Sequence, residues 1–148
     1  MASLNLNGDR LICLPVVDSK ANYLVGFWQW VELLANNDYQ WALESLHWPK
    51  GTTWTPEALK NRITTFFGGN APWSVVVPNE RLVGVINDDA QFQPRNKDEW
   101  GWLMAQVPVT TEPDDPTNDE IPLMGLASSF FVRQRGEYYV LEFEIFHL

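Results

Sequence analysis

The fold of this chain is decided by residues 23–67, which read YLVGFWQWVELLANNDYQWALESLHWPKGTTWTPEALKNRITTFF. The first part of that stretch carries large apolar residues at steps of four, three and four: Tyr23, Phe27, Trp30 and Leu34. Because these steps bring side chains to one side of an α-helix, the spacing predicts a helix with one buried face. Asp18 and Ser19 are suited to cap its start before Lys20, and Asn36-Asn37 ends it.

Two further helices are predicted in the same stretch. Asp38 is suited to cap a short helix from Tyr39 to Leu46. Thr55 is an N-cap residue, and Pro56 follows at the first helical position, where its missing N–H is not needed. The apolar spacing that follows reaches Phe66 and Phe67, and Gly68-Gly69 ends this third helix.

From Pro72 onward the apolar period changes to two, which is typical of β-strands. The predicted strands are Trp73–Val77, Arg81–Ile86, Trp100–Val109, Leu123–Gln134 and Tyr138–Leu148. Pro78-Asn79-Glu80 and Arg135-Gly136 read as hairpin turns, and Asn87–Asp98 and the acidic Thr110–Glu120 read as exposed connections. Leu11–Val17 is either an edge strand or an extended lead-in to the first helix.

This order of elements predicts an α+β fold in which N-terminal helices pack on a curved antiparallel sheet. The 148 residues are expected to form a single domain, residues 1–148, with residues 1–10 flexible. No helix is predicted between the early strands.

The charge of the chain excludes some classes of partner. Nineteen acidic residues against ten basic ones give a formal net charge of −9, and the basic residues are scattered. Such a surface repels nucleic acid and anionic lipid, so neither partner is expected. Cys13 is the only cysteine, and no apolar run is long enough to span a bilayer or to act as a signal peptide. The chain is expected to be cytoplasmic.

The predicted architecture resembles the α+β cone of the NTF2-like superfamily over roughly residues 20–148. Phe27-Trp28 through Asn37-Asp38-Tyr39 is similar to the first helix and break of that superfamily. Thr55-Pro56-Glu57-Ala58-Leu59 is similar to the T-P-E-x-L helix start of its uncharacterised bacterial members. The resemblance implies a cone-shaped cavity between the concave side of the sheet and the helices. Such cavities serve enzymes, ligand-binding proteins and protein interfaces in different families, so the fold alone does not choose among them.

Few residues are candidates for chemistry. The two histidines, His47 and His147, are too few for a histidine-rich metal site, and no metal or cofactor motif is present. His147 follows a strand face shared with Tyr139, Leu141, Phe143 and Ile145, so it faces either a pocket or the core. It is the single candidate acid–base residue. Glu142 and Glu144 are expected on the opposite, solvated face, and His47 is expected to cap a helix end.

Large aromatic and apolar residues are the candidates for binding. The residues considered are Trp28, Trp73, Trp100, Trp102, Met104, Tyr139 and Phe143. Trp100, Trp102 and Met104 lie at alternate positions and therefore share one strand face. Three alternatives exist for that face, in order of preference: the core beneath the helices, a subunit interface, or a ligand pocket.

Three functional hypotheses follow. The preferred one is a non-enzymatic NTF2-like domain that binds a small apolar ligand or a protein, and forms a homodimer through the open sheet face. The second is an enzyme of the dehydratase or isomerase kind, with His147 as acid–base in an apolar pocket. The third is an acidic inhibitory or immunity-type protein that binds a basic partner.

Overall fold

The computed structural model describes residues 10–52, 54–111 and 123–147, and the following concerns those residues. Nearly all of the N-terminal segment that was predicted to be flexible, and nearly all of the acidic connection after Thr110, lie outside the described residues. The elements in chain order are α1 Lys20–Ala35, α2 Tyr39–Glu44, α3 Pro56–Thr64, β1 Ser74–Val75, α4 Glu80–Asp89, β2 Gln91–Gln93, β3 Gly101–Thr110, β4 Leu123–Arg135 and β5 Tyr138–Phe146.

The first three helices begin at the predicted capping residues. The side chains of Ser19, Asp38 and Thr55 each accept a hydrogen bond of 3.1 Å from the backbone N–H three residues later. These bonds satisfy donors that the helix itself leaves unpaired, which is why the chain turns helical at these points. The helices α1, α2 and α3 are thereby confirmed, although α2 ends at Glu44 and α3 ends at Thr64, before Phe66 and Phe67.

The segment Arg81–Ile86 is helical, so the prediction of a strand and of a hairpin at Pro78–Glu80 is wrong. It forms α4, and the expectation of no helix between the early strands fails with it. The side chain of Asn79 accepts from the backbone N–H of Leu82 at 3.0 Å, and its carbonyl accepts from Val83 at 3.0 Å. The β-branched residues here favour a strand, but the cap supplies a local start signal that outweighs their weak propensity.

The strands form one antiparallel sheet that is curled into a half-barrel. Its order is β1-β3-β4-β5, and β2 pairs with the same strand, β3, as β1 does. The predicted strand Trp73–Val77 shortens to the two residues of β1, and β2 lies inside the stretch that was predicted as a loop. The long hairpin of β4 and β5 is confirmed, and Gly136 at its turn has a φ of 62°, which a residue without a Cβ adopts without strain.

The space between α1 and the sheet is filled by aromatic side chains. Trp30, Phe27 and Phe130 are fully buried there. The ring of Phe143 lies 4.8 Å from that of Phe146 and 5.8 Å from that of Phe130, and Trp30 lies 5.2 Å from Phe130, measured between centroids. Because aromatic rings carry large apolar areas, this cluster is a large apolar contact between α1 and the two last strands.

The face of β3 that packs under the helices is not the one that the sequence analysis preferred. Leu103, Ala105 and Val107 are buried beneath the helices, whereas Trp102 and Met104 point to the other side of the sheet. Trp102 pairs with Phe131 and Met104 with Ser129, so all four belong to the face that lies opposite α1. The core placement preferred for Trp100, Trp102 and Met104 is therefore wrong.

A β-bulge changes the direction of the side chains at the end of β5. Ser129 pairs with Ile145 and Phe130 pairs with Phe143, so Glu144 is an extra residue without a partner in β4. Glu144 and Ile145 consequently both point outward, and Phe146 returns to the core. The prediction that Ile145 and His147 share a face with Tyr139 and Phe143 is wrong, because the bulge breaks the alternation on which it depended.

The free edge of β5 is covered by two segments from the N-terminal part. Leu14 and Tyr139 exchange backbone hydrogen bonds of 2.8 and 2.9 Å, and the N–H of His47 donates to the carbonyl of Leu141 at 2.8 Å. Leu11–Val17 is thus an extended lead-in that bridges an edge. His47 pairs with the edge of the sheet, so the prediction that it caps a helix end is wrong. Such cover removes an exposed edge that would favour aggregation.

The helical conformation of α4 predicts how two substitutions of Gly84 change the free energy of unfolding. A Cβ built on Gly84 meets no atom within 4 Å, so Gly84→Ala adds helix propensity without a clash. We expect Gly84→Ala to raise the free energy of unfolding by about 0.5–1 kcal/mol, and Gly84→Val to raise it less. Urea denaturation of both variants checks this. A larger gain for valine than for alanine is the behaviour of a strand and would contradict the helix.

Candidate functional site

We use the term outer face for the side of the sheet opposite α1, next to the first half of β3. Its members are Trp100, Trp102, Met104, Ser129, Phe131, Arg133, Glu142, Glu144, Ile145 and His147. The register of β3, β4 and β5 brings these residues together from the three strands, from the residue before β3 and from the residue after β5. Trp100 is 47% exposed and Ile145 is 48% exposed, so two large apolar side chains of this face are in contact with solvent.

A hydrogen-bonded network around Glu144 occupies one part of the outer face. The Oε1 of Glu144 accepts from Trp102 Nε1 at 3.0 Å and from Ser129 Oγ at 2.7 Å. The Nε2 of His147 lies 2.8 Å from the same Ser129 Oγ. Since the single hydroxyl hydrogen of Ser129 goes to Glu144, His147 Nε2 carries a hydrogen and donates it to Ser129. In this arrangement the imidazole of His147 is a hydrogen-bond donor to the serine.

A second network surrounds Glu142 on the same face. Arg133 donates to Glu142 Oε1 at 2.8 Å and also lies 3.2 Å from His47 Nε2. Glu142 is only 6% exposed, so its expected position on a solvated face is wrong: the guanidinium of Arg133 compensates its burial. Burial, followed by the positive charge of Arg133, lowers the pKa of His47 although Glu142 acts in the opposite direction. The imidazole of His47 is thus neutral near pH 7 and accepts from Arg133.

Aromatic rings join the two networks into one surface. The Arg133 guanidinium lies 4.4 Å from the centroid of the Trp100 ring, a cation–π contact. The Trp100 ring in turn meets Phe131 edge to face at 5.6 Å. Phe131 pairs with both Trp102 and Glu142 across the sheet. The outer face is therefore an apolar strip with one ordered polar network on each side of it.

The structure brings three of the seven predicted binding residues together on the outer face: Trp100, Trp102 and Met104. The other four lie elsewhere. Phe143 is part of the aromatic core, and Trp73 donates to the carbonyl of Gly68 at 3.0 Å. Trp28 donates to Asn87 Oδ1 at 2.7 Å and lines an open groove of about 640 Å³ between α1 and α4.

Tyr139, the last of the seven, belongs to a cluster around Asp18 that fastens the lead-in to the sheet. The carboxylate of Asp18 accepts from Tyr23 at 2.6 Å, from Tyr139 at 2.8 Å and from the backbone N–H of Arg95 at 3.1 Å. Partial burial disfavours the charged form, but these hydrogen bonds outweigh it and lower the pKa of Asp18. Burial and the bond to Asp18 raise the pKa of Tyr23, so its hydroxyl remains a donor.

Four residues of the outer face were missed by reasoning from the sequence: Ser129, Phe131, Arg133 and Ile145. The alternation of β4 contains the signal for the first three, since Ser129, Phe131 and Arg133 are spaced by two. Ile145 was assigned to the wrong side because the bulge has no sequence marker. His147 was singled out, but it lies on the outer face and not in the apolar pocket that the enzyme hypothesis needs.

In the described ranges, no three His, Cys, Asp or Glu side chains converge in a way that could hold a metal ion. None of the described helices is long and apolar enough to cross a bilayer. Comparisons of the chain with protein-family models, with curated proteins and with solved structures found no significant match. The outer face is therefore interpreted from its own chemistry.

The lowered pKa of Asp18 predicts how the stability of the unmodified protein and that of Asp18→Asn differ with pH. A carboxyl group whose pKa is lower in the folded state stabilises the protein at pH values above its ordinary pKa of 3.8. This contribution to the free energy of unfolding is lost as the pH falls through the lower folded-state pKa. We expect Asp18→Asn to be less stable than the unmodified protein at pH 6, and the gap to narrow steadily below pH 4. Urea denaturation at a series of pH values measures the gap. A gap that stays constant down to pH 2 would contradict the hydrogen-bonded carboxylate.

Removing Arg133 leaves the buried carboxylate of Glu142 without its strongest partner. We expect Arg133→Met to lower the free energy of unfolding by about 1–3 kcal/mol, less than for a fully buried pair because the guanidinium is partly exposed. The double variant Arg133→Met with Glu142→Leu should recover most of that loss, since no unpaired charge remains. Chemical denaturation of the unmodified protein, both single variants and the double variant completes a double-mutant cycle, which gives the coupling free energy between the two side chains. Additive losses would show that the two side chains are not coupled.

Proposed function

We propose that this domain is a non-enzymatic binding module, and that the occupant of its outer face is a second copy of the same chain. The observation that carries the proposal is the contrast between the two sides of the sheet. The side toward α1 is filled by the rings of Trp30, Phe130 and Phe143. The other side exposes Trp100 and Ile145 beside ordered polar groups.

The composition of the outer face supports a protein as its partner. Tryptophan, phenylalanine, methionine and arginine are enriched at the centres of protein interfaces, and this face combines all four. Its polar groups are already held in place by Glu142 and Glu144, so little side-chain freedom remains to be lost on binding. Rigid aromatic side chains beside fixed hydrogen-bonding groups are a typical preorganised binding surface.

The distribution of charge is compatible with a second copy as the occupant. Two chains of net charge −9 repel each other, so association is least costly through a surface that carries little of the excess. The outer face holds two acids, Glu142 and Glu144, against one arginine, Arg133, so it carries formally one of the nine excess negative charges. Because the face offers both donors and acceptors, two copies related by a twofold axis can complement each other.

The order of the hydrogen bonds argues for binding and against acid–base chemistry. His147 donates to Ser129, and Ser129 donates to Glu144, so neither the imidazole nor the hydroxyl is arranged as a base–nucleophile pair. We also infer membership of the NTF2-like superfamily. The support for it is the order of elements, with three helices before a curled antiparallel sheet.

Self-association is tested with two variants that add the same charge at equally exposed sites. Ile145 on the outer face is 48% exposed, and Val25 on α1 is 46% exposed. We expect the unmodified protein to be dimeric in sedimentation velocity, and Ile145→Glu to raise the dissociation constant of the dimer at least about tenfold, because an unpaired carboxylate would be buried. Val25→Glu should remain dimeric.

Thermal unfolding of each variant separates a loss of association from a loss of folding. The proposal fails if the unmodified protein remains a monomer up to high micromolar concentration. It also fails if Val25→Glu weakens the dimer as much as Ile145→Glu does, since the shared effect would then be net charge.

A further inference from the structure

A cleft lies between the outward side of α3 and a tryptophan ring that precedes this helix. Its volume is about 400 Å³, and it is lined by Trp54, Ala58, Asn61, Arg62 and Thr65. The last four of these are spaced by three, one and three, so they lie on one side of the helix. Leu59 and Ile63, the buried residues of α3, point to the protein interior. No lining residue belongs to the outer face, so the cleft is a separate surface.

The apolar wall of this cleft is a ring that the aromatic core holds in place. The centroid of the Trp54 ring lies 6.0 Å from that of Trp48 and 5.9 Å from that of Phe143. Trp48 is fixed in turn, because its Nε1 donates to the carbonyl of Leu43 at 2.7 Å. Trp54 is only partly buried, so part of its ring remains open to a ligand. Ala58 contributes only a methyl group to the cleft, which leaves space beside the ring.

The polar part of the cleft offers both hydrogen-bond donors and acceptors. The side-chain amide of Asn61 can donate and accept, whereas the guanidinium of Arg62 can only donate. The guanidinium lies over the ring of Phe66, 5.1 Å from its centroid, which orients it and leaves N–H groups for a ligand. Thr65 Oγ1 donates its one hydrogen to the carbonyl of Asn61 at 2.6 Å, so toward a ligand it can only accept.

The charges around the cleft favour an uncharged ligand. Among the described residues that line it, Arg62 alone is charged, and Glu57 offsets that charge from one helical turn before Asn61. Lys60 points elsewhere, since its ammonium lies over the ring of Tyr39 at 5.9 Å. A carboxylate uses donors only and an ammonium uses acceptors only, whereas a hydroxyl group uses both. The mixed set therefore fits hydroxyl groups, and the net charge of −9 does not repel a neutral ligand.

We propose that this cleft binds a pyranose ring of a neutral saccharide, of the glucose type in which the hydroxyl groups are equatorial. Such a ring has two flat faces of C–H groups, which can pack on the apolar ring of Trp54. Its hydroxyl groups project from the rim, where the side chains of Asn61, Arg62 and Thr65 supply donors and acceptors. Ligand pockets measure about 300–1,000 Å³, so this cleft suits a ligand of one or two rings.

Saccharide binding is measured from the indole Nε1–H signal of Trp54 by two-dimensional NMR, with the signal assigned by its loss in Trp54→Phe. The probe is cellotriose, which consists of three β-1,4-linked glucose rings. Sorbitol supplies hydroxyl groups without a ring face, and sodium benzoate supplies a flat ring with a carboxylate. We expect a saturable shift with cellotriose and none with the other two at the same concentration. The expected dissociation constant is about 1 mM, because one ring of about twelve heavy atoms makes the contact.

Two pairs of matched variants locate the ligand. Arg62→Gln and Lys60→Gln remove the same charge from the same helix, and only Arg62 lines the cleft. We expect Arg62→Gln to weaken cellotriose binding about threefold to tenfold, and Lys60→Gln to leave it unchanged. Ala58→Leu fills the cleft and should abolish binding, whereas Ala21→Leu makes the same change at an exposed position of α1 and should not. Thermal unfolding checks that each variant is folded.

Three results would overturn the proposal. The first is no saturable shift with cellotriose. The second is binding that Ala58→Leu leaves intact, or that Arg62→Gln and Lys60→Gln weaken equally, since the ligand would then lie elsewhere. The third is binding of sorbitol or benzoate as tightly as cellotriose, which would assign the cleft to polyols in general or to aromatic anions. Ile145→Glu should bind cellotriose as the unmodified protein does, so the test is independent of self-association.

Discussion

The packing of Phe143 against Trp30, Phe130 and Phe146 is the contact on which the rest of the structure depends. These rings come from α1, β4 and β5, and their centroids lie 4.8 to 6.0 Å from that of Phe143. They fix the helix to the sheet and fill the space that a cone-shaped cavity would occupy. Because this interior is closed by its own side chains, our account places recognition on the opposite side of the sheet.

The bulge at Glu144 then determines what that opposite side presents. With regular alternation, Ile145 would lie under the helices and Phe146 would face solvent. The extra residue turns Glu144 and Ile145 outward together, where Glu144 orders Trp102 and Ser129. The same residue therefore completes the core through Phe146 and builds the outer face. A single irregularity in one strand connects the stability of the domain with its proposed binding surface.

Local signals made part of this structure predictable from the sequence. Ser19, Asp38 and Thr55 cap helices that were expected, and Gly136 marks the hairpin that was expected, because each effect acts within a few residues. Helix α4 was missed since its β-branched residues favour a strand, and Asn79 as a cap reads equally well as a turn residue. The face of β3 could not be predicted, because its pairing partners Phe131 and Ser129 are more than twenty residues away in the chain. The bulge could not be predicted either, because it depends on the register between β4 and β5 and not on a local signal.

Solvent paramagnetic relaxation of methyl groups shows whether a second copy covers the outer face. The measurement compares the methyl groups of Met104 and Ile145 with those of Val25, at a low and at a high protein concentration, in the presence of a soluble relaxation agent. We expect the solvent relaxation of Met104 and Ile145 to decrease at high concentration while that of Val25 stays the same. Relaxation of Met104 and Ile145 that does not change with concentration would show that no second copy covers the outer face.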